Sequence, residues 1–183
     1  MDSRNSINPI NPMNSSSSIR AMKQVFEDLL VALKEACLEV YGDRLISLCV
    51  FGSVASGTMR PDSDIDILLV CESLPRGRMA RVREFETVDR ICESSLEQAV
   101  QQGVRTIFSP HIKTPDEVLK GSPVFLDMTD TVRVLFDRED FFARYIETLK
   151  ERLSNLGARK VRFGGGYYWI LKPDLKPGEE ICL

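Results

Sequence analysis

The sequence predicts an α/β (α+β) domain, and three observations carry that reading. Apolar residues recur at 3-and-4 spacing over residues 19–41, the period of a helix with one buried face. Two near-continuous apolar runs, residues 45–51 and 65–70, read as central strands covered on both sides. Amphipathic and β-like stretches then alternate as far as Leu156. With 183 residues, 43% of them hydrophobic and 28% charged, the chain is long enough to bury one sizeable core.

Taken in order, residues 1–18 are rich in Asn, Ser and Pro and poor in apolar side chains. Such a stretch buries too little surface to offset the entropy of ordering, so it reads as a flexible tail. Ser18 is the expected N-cap of the first helix and Gly42 its stop. Met22, Val25, Phe26, Leu29, Leu30, Leu33, Ala36, Cys37 and Val40 form its buried stripe. Residues 45–51 are strand one, residues 54–63 a loop containing Gly57 and Pro61, and residues 65–70 strand two. A long helix is expected over residues 77–102, with Met79, Val82, Phe85, Val88, Ile91, Cys92, Leu96, Ala99 and Val100 facing inward. Arg76, Arg78, Arg81 and Arg83 cluster at its start, as a solvated face or as a contact for a nucleotide or an acidic partner.

Residues 104–112 read as strand three, which Pro110 confines to an edge or a strand end. A short helix capped by Thr114 follows, with Pro115 at its first position. Residues 122–129 form another helical piece, residues 131–136 strand four, and residues 137–156 an amphipathic helix ended by Gly157. Beyond Ala158, residues 160–163 and 167–171 flank three glycines, a hairpin signal. Tyr167, Tyr168 and Trp169 either stack on a base or pack the hairpin onto the domain. The expected division is thus a tail (1–18), a domain (19–157) and a C-terminal β-hairpin extension packed on it (158–183).

The net charge of −3 argues against a protein that grips long nucleic acid through its phosphates. The five cysteines form no CxxC pair and there is one histidine, so a zinc site is not expected. Cys49 and Cys71 lie in or at the end of apolar runs and read as reduced core residues, which fits a cytoplasmic protein. No apolar stretch approaches the length of a membrane span, and the N-terminus lacks a signal core.

The chemistry concentrates in FGSVASGTMRPDSDIDILL, residues 51–69. Asp64 and Asp66 flank Ile65, and side chains alternate along a strand, so the two carboxylates share a face. Held that close they repel, unless a cation lies between them. A hard divalent ion such as Mg²⁺ takes carboxylate oxygens together with substrate phosphates. Upstream, Gly52 and Ser53 close strand one and open a helical turn. Its free N–H groups and hydroxyl favour an anion, whereas the bland alternative is a cap facing water.

Gly-Ser followed ten residues later by Asp-Ile-Asp resembles the signature of the DNA polymerase β-like nucleotidyltransferases, and its spacing is closest to the minimal nucleotidyltransferase branch. The resemblance implies a mixed, mainly antiparallel sheet backed by helices. It implies transfer of a nucleoside monophosphate, with ATP as the expected NTP, to a hydroxyl of a protein or small-molecule acceptor. Asp64 and Asp66 would hold two Mg²⁺ ions, and Gly52 and Ser53 would bind the triphosphate. The branch looks like the antitoxin half of toxin–antitoxin pairs, whose partner is a helical HEPN ribonuclease adenylylated on tyrosine. An aminoglycoside-type acceptor is the small-molecule alternative. The family usually carries a third carboxylate on the strand beside Asp-x-Asp. Residues 105–112 offer none; Ser109 and His111 stand there, and Glu117 and Asp127 are the nearest carboxylates in neighbouring segments. A chain without that third acid is either activated otherwise or is a weak or inactive module that binds a partner protein.

Overall fold

The apolar run after Gly42 becomes β1 (Leu45–Phe51), buried along its whole length, and the sheet is built outward from it. The computed structural model describes residues 15–176, 178, 179 and 181. Beside β1 runs β2 (Ile65–Cys71), antiparallel, with Phe51 opposite Asp66 and Val50 opposite Ile67. Next to β2 is β3 (Phe108–Lys113), parallel, with Asp66 opposite Ser109 and Leu68 opposite His111. On the far side of β1 is β4 (Arg133–Asp137), antiparallel. The order β3-β2-β1-β4 is a mixed, mainly antiparallel sheet with helices on both faces, the expected fold class.

Alternation along β1 and β2 divides the core in two. Leu48, Val50, Ile65, Ile67 and Leu69 face α1 (Ser15–Tyr41), α3 (Arg78–Ile91) and α4 (Glu93–Gln101). Cys49, Phe51, Leu68 and Val70 face α5 (Pro115–Leu119), α6 (Val124–Met128) and α7 (Phe141–Asn155). The short α2 (Gly52–Ser56) turns the chain directly off the end of β1. Side-chain pairs tie the layers. Arg133 grips Glu27 through two contacts of 2.5 and 2.6 Å, joining β4 to α1. Arg44 meets Glu84 at 2.6 Å, joining the start of β1 to α3.

Several boundaries differ from the sequence reading. Helix α1 begins at Ser15 rather than after a Ser18 cap, and Ser16, Ser17 and Ser18 lie within it, exposed to water. The remainder of the expected tail, residues 1–14, lies outside the described residues. The long helix over residues 77–102 is two helices, broken at Cys92, which caps the end of α3 and the start of α4. Phe85, Val88, Cys92 and Ala99 keep one period across the break and are buried, whereas Met79, Ile91 and Val100 are exposed. Strand three starts at Phe108, not residue 104, and strand four at Arg133, not residue 131.

The last helix starts at Phe141, four residues later than its periodicity indicates, because Asp137 does other work. Its carboxylate accepts from the backbone N–H groups of Phe142 and Ala143, each at 3.0 Å, and from the hydroxyl of fully buried Ser47 at 2.5 Å. The chain between is bent through left-handed Glu139 and Asp140.

Strands β5 (Arg159–Phe163) and β6 (Gly166–Ile170) pair antiparallel. Trp169 and Leu171 pack against the α6–α7 side of the core. The Trp169 indole N–H donates to Asp127 at 3.3 Å, and Lys160 meets Asp130 at 2.7 Å. Tyr167 and Tyr168 stay half exposed, with the Lys160 ammonium 3.6 Å from the Tyr167 ring centroid. Cys37, Cys49, Cys71 and Cys92 are unpaired and buried; Cys182 lies outside the described residues. Burial pushes the Cys71 thiol up to about 12 and that of Cys92 up to about 11, so these groups stay protonated. Among the described residues no helix is long and apolar enough to cross a membrane.

Candidate active site

The last residue of β1 and the second residue of β2 stand opposite each other, which brings the turn after β1 against Asp66. Gly52 has φ +69°, and a Cβ placed on it would lie 2.6 Å from Asp66 Oδ2. No side chain fits there, so the backbone of the turn and the carboxylate can approach only because residue 52 is glycine. The turn itself, α2, has no side-chain cap at its N-terminus. Its first N–H groups therefore have neither an intrahelical acceptor nor a side chain to meet them. Ser53 is half-buried, and its carbonyl accepts from Thr58 N–H at 3.0 Å. Among the described residues its hydroxyl makes no hydrogen bond.

Asp66 is half-buried and Asp64, one residue ahead of β2, is exposed. Burial pushes the Asp66 carboxyl above the ordinary carboxylate range. His111 opposes that shift, the negative charge of Asp64 adds to it, and the Ser109 hydroxyl opposes it through a hydrogen bond. Burial likewise holds His111 below the ordinary imidazole value, with Asp66 pulling the other way and Lys113 and Arg78 adding to the depression. The His111 ring packs edge-on against Phe51, centroids 5.4 Å apart. Three segments thus converge: the turn after β1, the start of β2 with Asp64 and Asp66, and β3 with Ser109 and His111.

Glu117 and Asp127, the neighbouring acids considered from sequence, are both engaged elsewhere. Glu117 takes two contacts from Arg81, at 2.6 and 3.0 Å, and accepts from Thr114 N–H at 3.0 Å in a capping box of α5. Arg81, foremost among these causes, holds its carboxyl well below the usual range, at about 2. Asp127 binds Trp169 and Lys160 of the hairpin. Arg81 is likewise not a solvated arginine, since it also donates to the carbonyls of Pro75 and Ile112. The Arg81–Glu117, Asp127–Trp169 and Asp127–Lys160 pairings join residues more than thirty apart, and no local pattern announces them. Ser109, named from sequence on the strand beside Asp-x-Asp, stands opposite Asp66 in the register.

Among the described residues no three of His, Cys, Asp and Glu gather to hold a metal ion by themselves. Asp64 and Asp66 offer two carboxylates, the oxygen type that a hard divalent ion takes when it completes its shell with substrate phosphates and water. Such an ion would offset the burial that chiefly raises the Asp66 carboxyl, and the charge of Asp64 that adds to it. The residues present fit Mg²⁺ held in that manner.

Residues 30–118, just under half of the chain, match the family model described as a nucleotidyltransferase domain. A relative from Methanocaldococcus jannaschii, named "Putative protein adenylyltransferase MJ1305", is 28% identical over 130 residues, spanning 70% of this chain and 83% of its own. Two solved structures are also similar. A toxin–antitoxin with AMP-PNP covers 74% of this chain and 92% of its own, at 16% identity and a TM-score of 0.39. A "putative nucleotidyltransferase from Sulfolobus solfataricus" covers 70% and 95%, at 19% identity and a TM-score of 0.36.

Proposed function

We propose that this chain is an adenylyltransferase that moves AMP from ATP to a hydroxyl of a protein, with Asp64 and Asp66 holding Mg²⁺ and Gly52 and Ser53 receiving the triphosphate. The observation that carries the reading is the close approach of Gly52 to Asp66, which sets a glycine turn with uncapped N–H groups beside a carboxylate. The protein acceptor is supported by the name of the archaeal relative. Bound there, two Mg²⁺ ions would supply charge neutralisation for the phosphates and for the attacking oxygen. The chain's own part is orientation. Backbone N–H groups of the turn and the Ser53 hydroxyl fix the phosphates, and Ser109 fixes the rotamer of Asp66. In this reading residues 19–157 are the catalytic unit, residues 158–183 an appended hairpin, and residues 1–18 a tail with no catalytic part. A HEPN-type helical protein, implied only by the resemblance to the minimal nucleotidyltransferase branch, is the acceptor to try first.

The test is transfer of label from α-³²P-ATP to acceptor proteins in the presence of Mg²⁺. Wild type should label an acceptor, and Asp64→Asn and Asp66→Asn should each lose that label by a factor on the order of 10³ or more, as removal of a central electrostatic group does. Equal labelling by either variant would remove the acid pair from the mechanism. The absence of a carboxylate on β3 favours a second reading, a nucleotide-binding module that acts by covering a partner. Its mark would be ATP binding with no label passed to any protein, including the products of neighbouring genes.

A further inference from the structure

Along the outer side of β3 runs a cleft of about 610 Å³, between the start of α3 and α5. That volume lies within the range of small-ligand sites, roughly 300–1,000 Å³. Ser109 and His111 line it, and Ser109 stands opposite Asp66 in the sheet register, so the cleft lies one strand away from Asp66. Arg78 and Lys113 line it too, Lys113 at the other end of β3 from Ser109. The two other ionic groups lining it, Arg81 and Glu117, neutralise each other at 2.6 Å. Arg78 and Lys113 have no hydrogen-bonding or ion-pair partner for their side chains among the described residues, although both act electrostatically on His111. With Arg78, Arg81 and Lys113 set against Glu117, the lining of the cleft therefore carries net positive charge.

The sheet order assigns this cleft a side of the reaction, given the adenylyl-transfer reading above. In phosphoryl chemistry the attacking and leaving oxygens stand in line on opposite sides of the phosphorus. Asp66 lies on β2, with the Gly52–Ser53 turn on its β1 flank and Ser109 on its β3 flank. A triphosphate seated on the turn sends pyrophosphate out on the β1 side, so the attacking hydroxyl enters from the β3 side.

We infer that the β3 cleft is the acceptor site and that it selects a protein segment in which the reacting hydroxyl is flanked by acidic residues, whose carboxylates meet Arg78 and Lys113. The hydroxyl oxygen bonds to the α-phosphorus. The bond from that phosphorus to the bridging oxygen breaks, its electron pair leaves with pyrophosphate, and the hydroxyl proton passes to solvent water.

The experiment uses fluorescein-labelled tyrosine peptides, one flanked by glutamates and one by lysines, titrated onto the full chain by fluorescence anisotropy with Mg²⁺ and α,β-methylene-ATP. Wild type should bind the glutamate peptide about tenfold more tightly than the lysine peptide, the scale of complementary charge contacts. In the Arg78→Glu/Lys113→Glu double variant the preference should invert, a gain for the lysine peptide that unfolding cannot mimic. A wild type indifferent to peptide charge, or a preference unchanged in the double variant, overturns the inference. Label transfer from α-³²P-ATP separates the two claims. Charge-selective binding without label transfer leaves the cleft standing and removes the enzymatic reading. Transfer that needs Asp66 but ignores residues 78 and 113 does the reverse.

Discussion

Residue 52 is where the fold leaves least freedom. At φ +69° an L side chain is strained by about 1–2 kcal/mol, and here its Cβ would also strike Asp66. Gly52→Ala should therefore turn Asp66 aside: transfer of label should fall at least about a hundredfold, with stability lower by about 1–3 kcal/mol. A variant with full activity would show that the close approach is dispensable. Asp66 gives the opposite balance. Its folded-state carboxyl is raised chiefly by burial, so its ionisation opposes folding, and stability tied to its protonated form is lost as pH rises through the folded value. Asp66→Asn removes that penalty. Its thermal midpoint at neutral pH should equal or exceed that of wild type while activity vanishes, the pattern of a site strained for function. A clear drop in the midpoint would mark Asp66 as structural. The nearness of the Gly52 turn to Asp66 was legible, because strand alternation and a glycine turn are local matters. Ser109 was legible only as a residue of the strand beside Asp-x-Asp; its register opposite Asp66 was not, because pairing is decided when the strands meet.

At the scale of elements, the helices that follow a simple apolar period were legible and those set by a distant side chain were not. Helix α1 could be read to within a turn, since its stripe is continuous. The start of α7 could not, since Asp137 takes over the capping from three residues before the usual position while also satisfying buried Ser47. Asp137→Ala removes a cap and strands a buried hydroxyl, losses of roughly 1–2 and 1–3 kcal/mol. Urea unfolding should show a loss of about 2–4 kcal/mol, and Asp137→Asn, which still offers an acceptor, should lose less. Equal losses would mean the charge rather than the geometry holds the joint. The break at Cys92 was likewise invisible, since Phe85, Val88, Cys92 and Ala99 keep one period across it, and all four lie in the same cluster.

Over the whole molecule, long-range ion pairs lock together layers that the sequence lists far apart. Glu117 is a readable case. Its folded carboxyl sits near 2 against an ordinary value of 4.5, so the stability it contributes is present above about 4.5 and is lost as pH falls toward 2. Because its side chain is about a third exposed, solvent tempers the size of the effect. Between pH 4.5 and 2, wild type should lose thermal stability more steeply than Glu117→Gln, by circular dichroism melts at matched ionic strength; parallel curves would contradict the pairing. The general plan of sheet and helices was legible because hydrophobic period and Gly/Pro punctuation are sequence properties. The cross-links were not, because each is decided only after the layers meet.

The border strand β3 has one more consequence. Ile107 offers its carbonyl to Ile65 N–H, so by alternation the backbone of residues 108, 110 and 112 points outward. One of those positions is Pro110, which has no N–H to give, and the carbonyl of Ile112 is already taken by Arg81. A second copy cannot zip onto this margin to lengthen the ribbon. The groove beside the aspartates is thereby kept for side chains to enter, and a visiting polypeptide must be recognised by its charges and its hydroxyl, not by adding a strand.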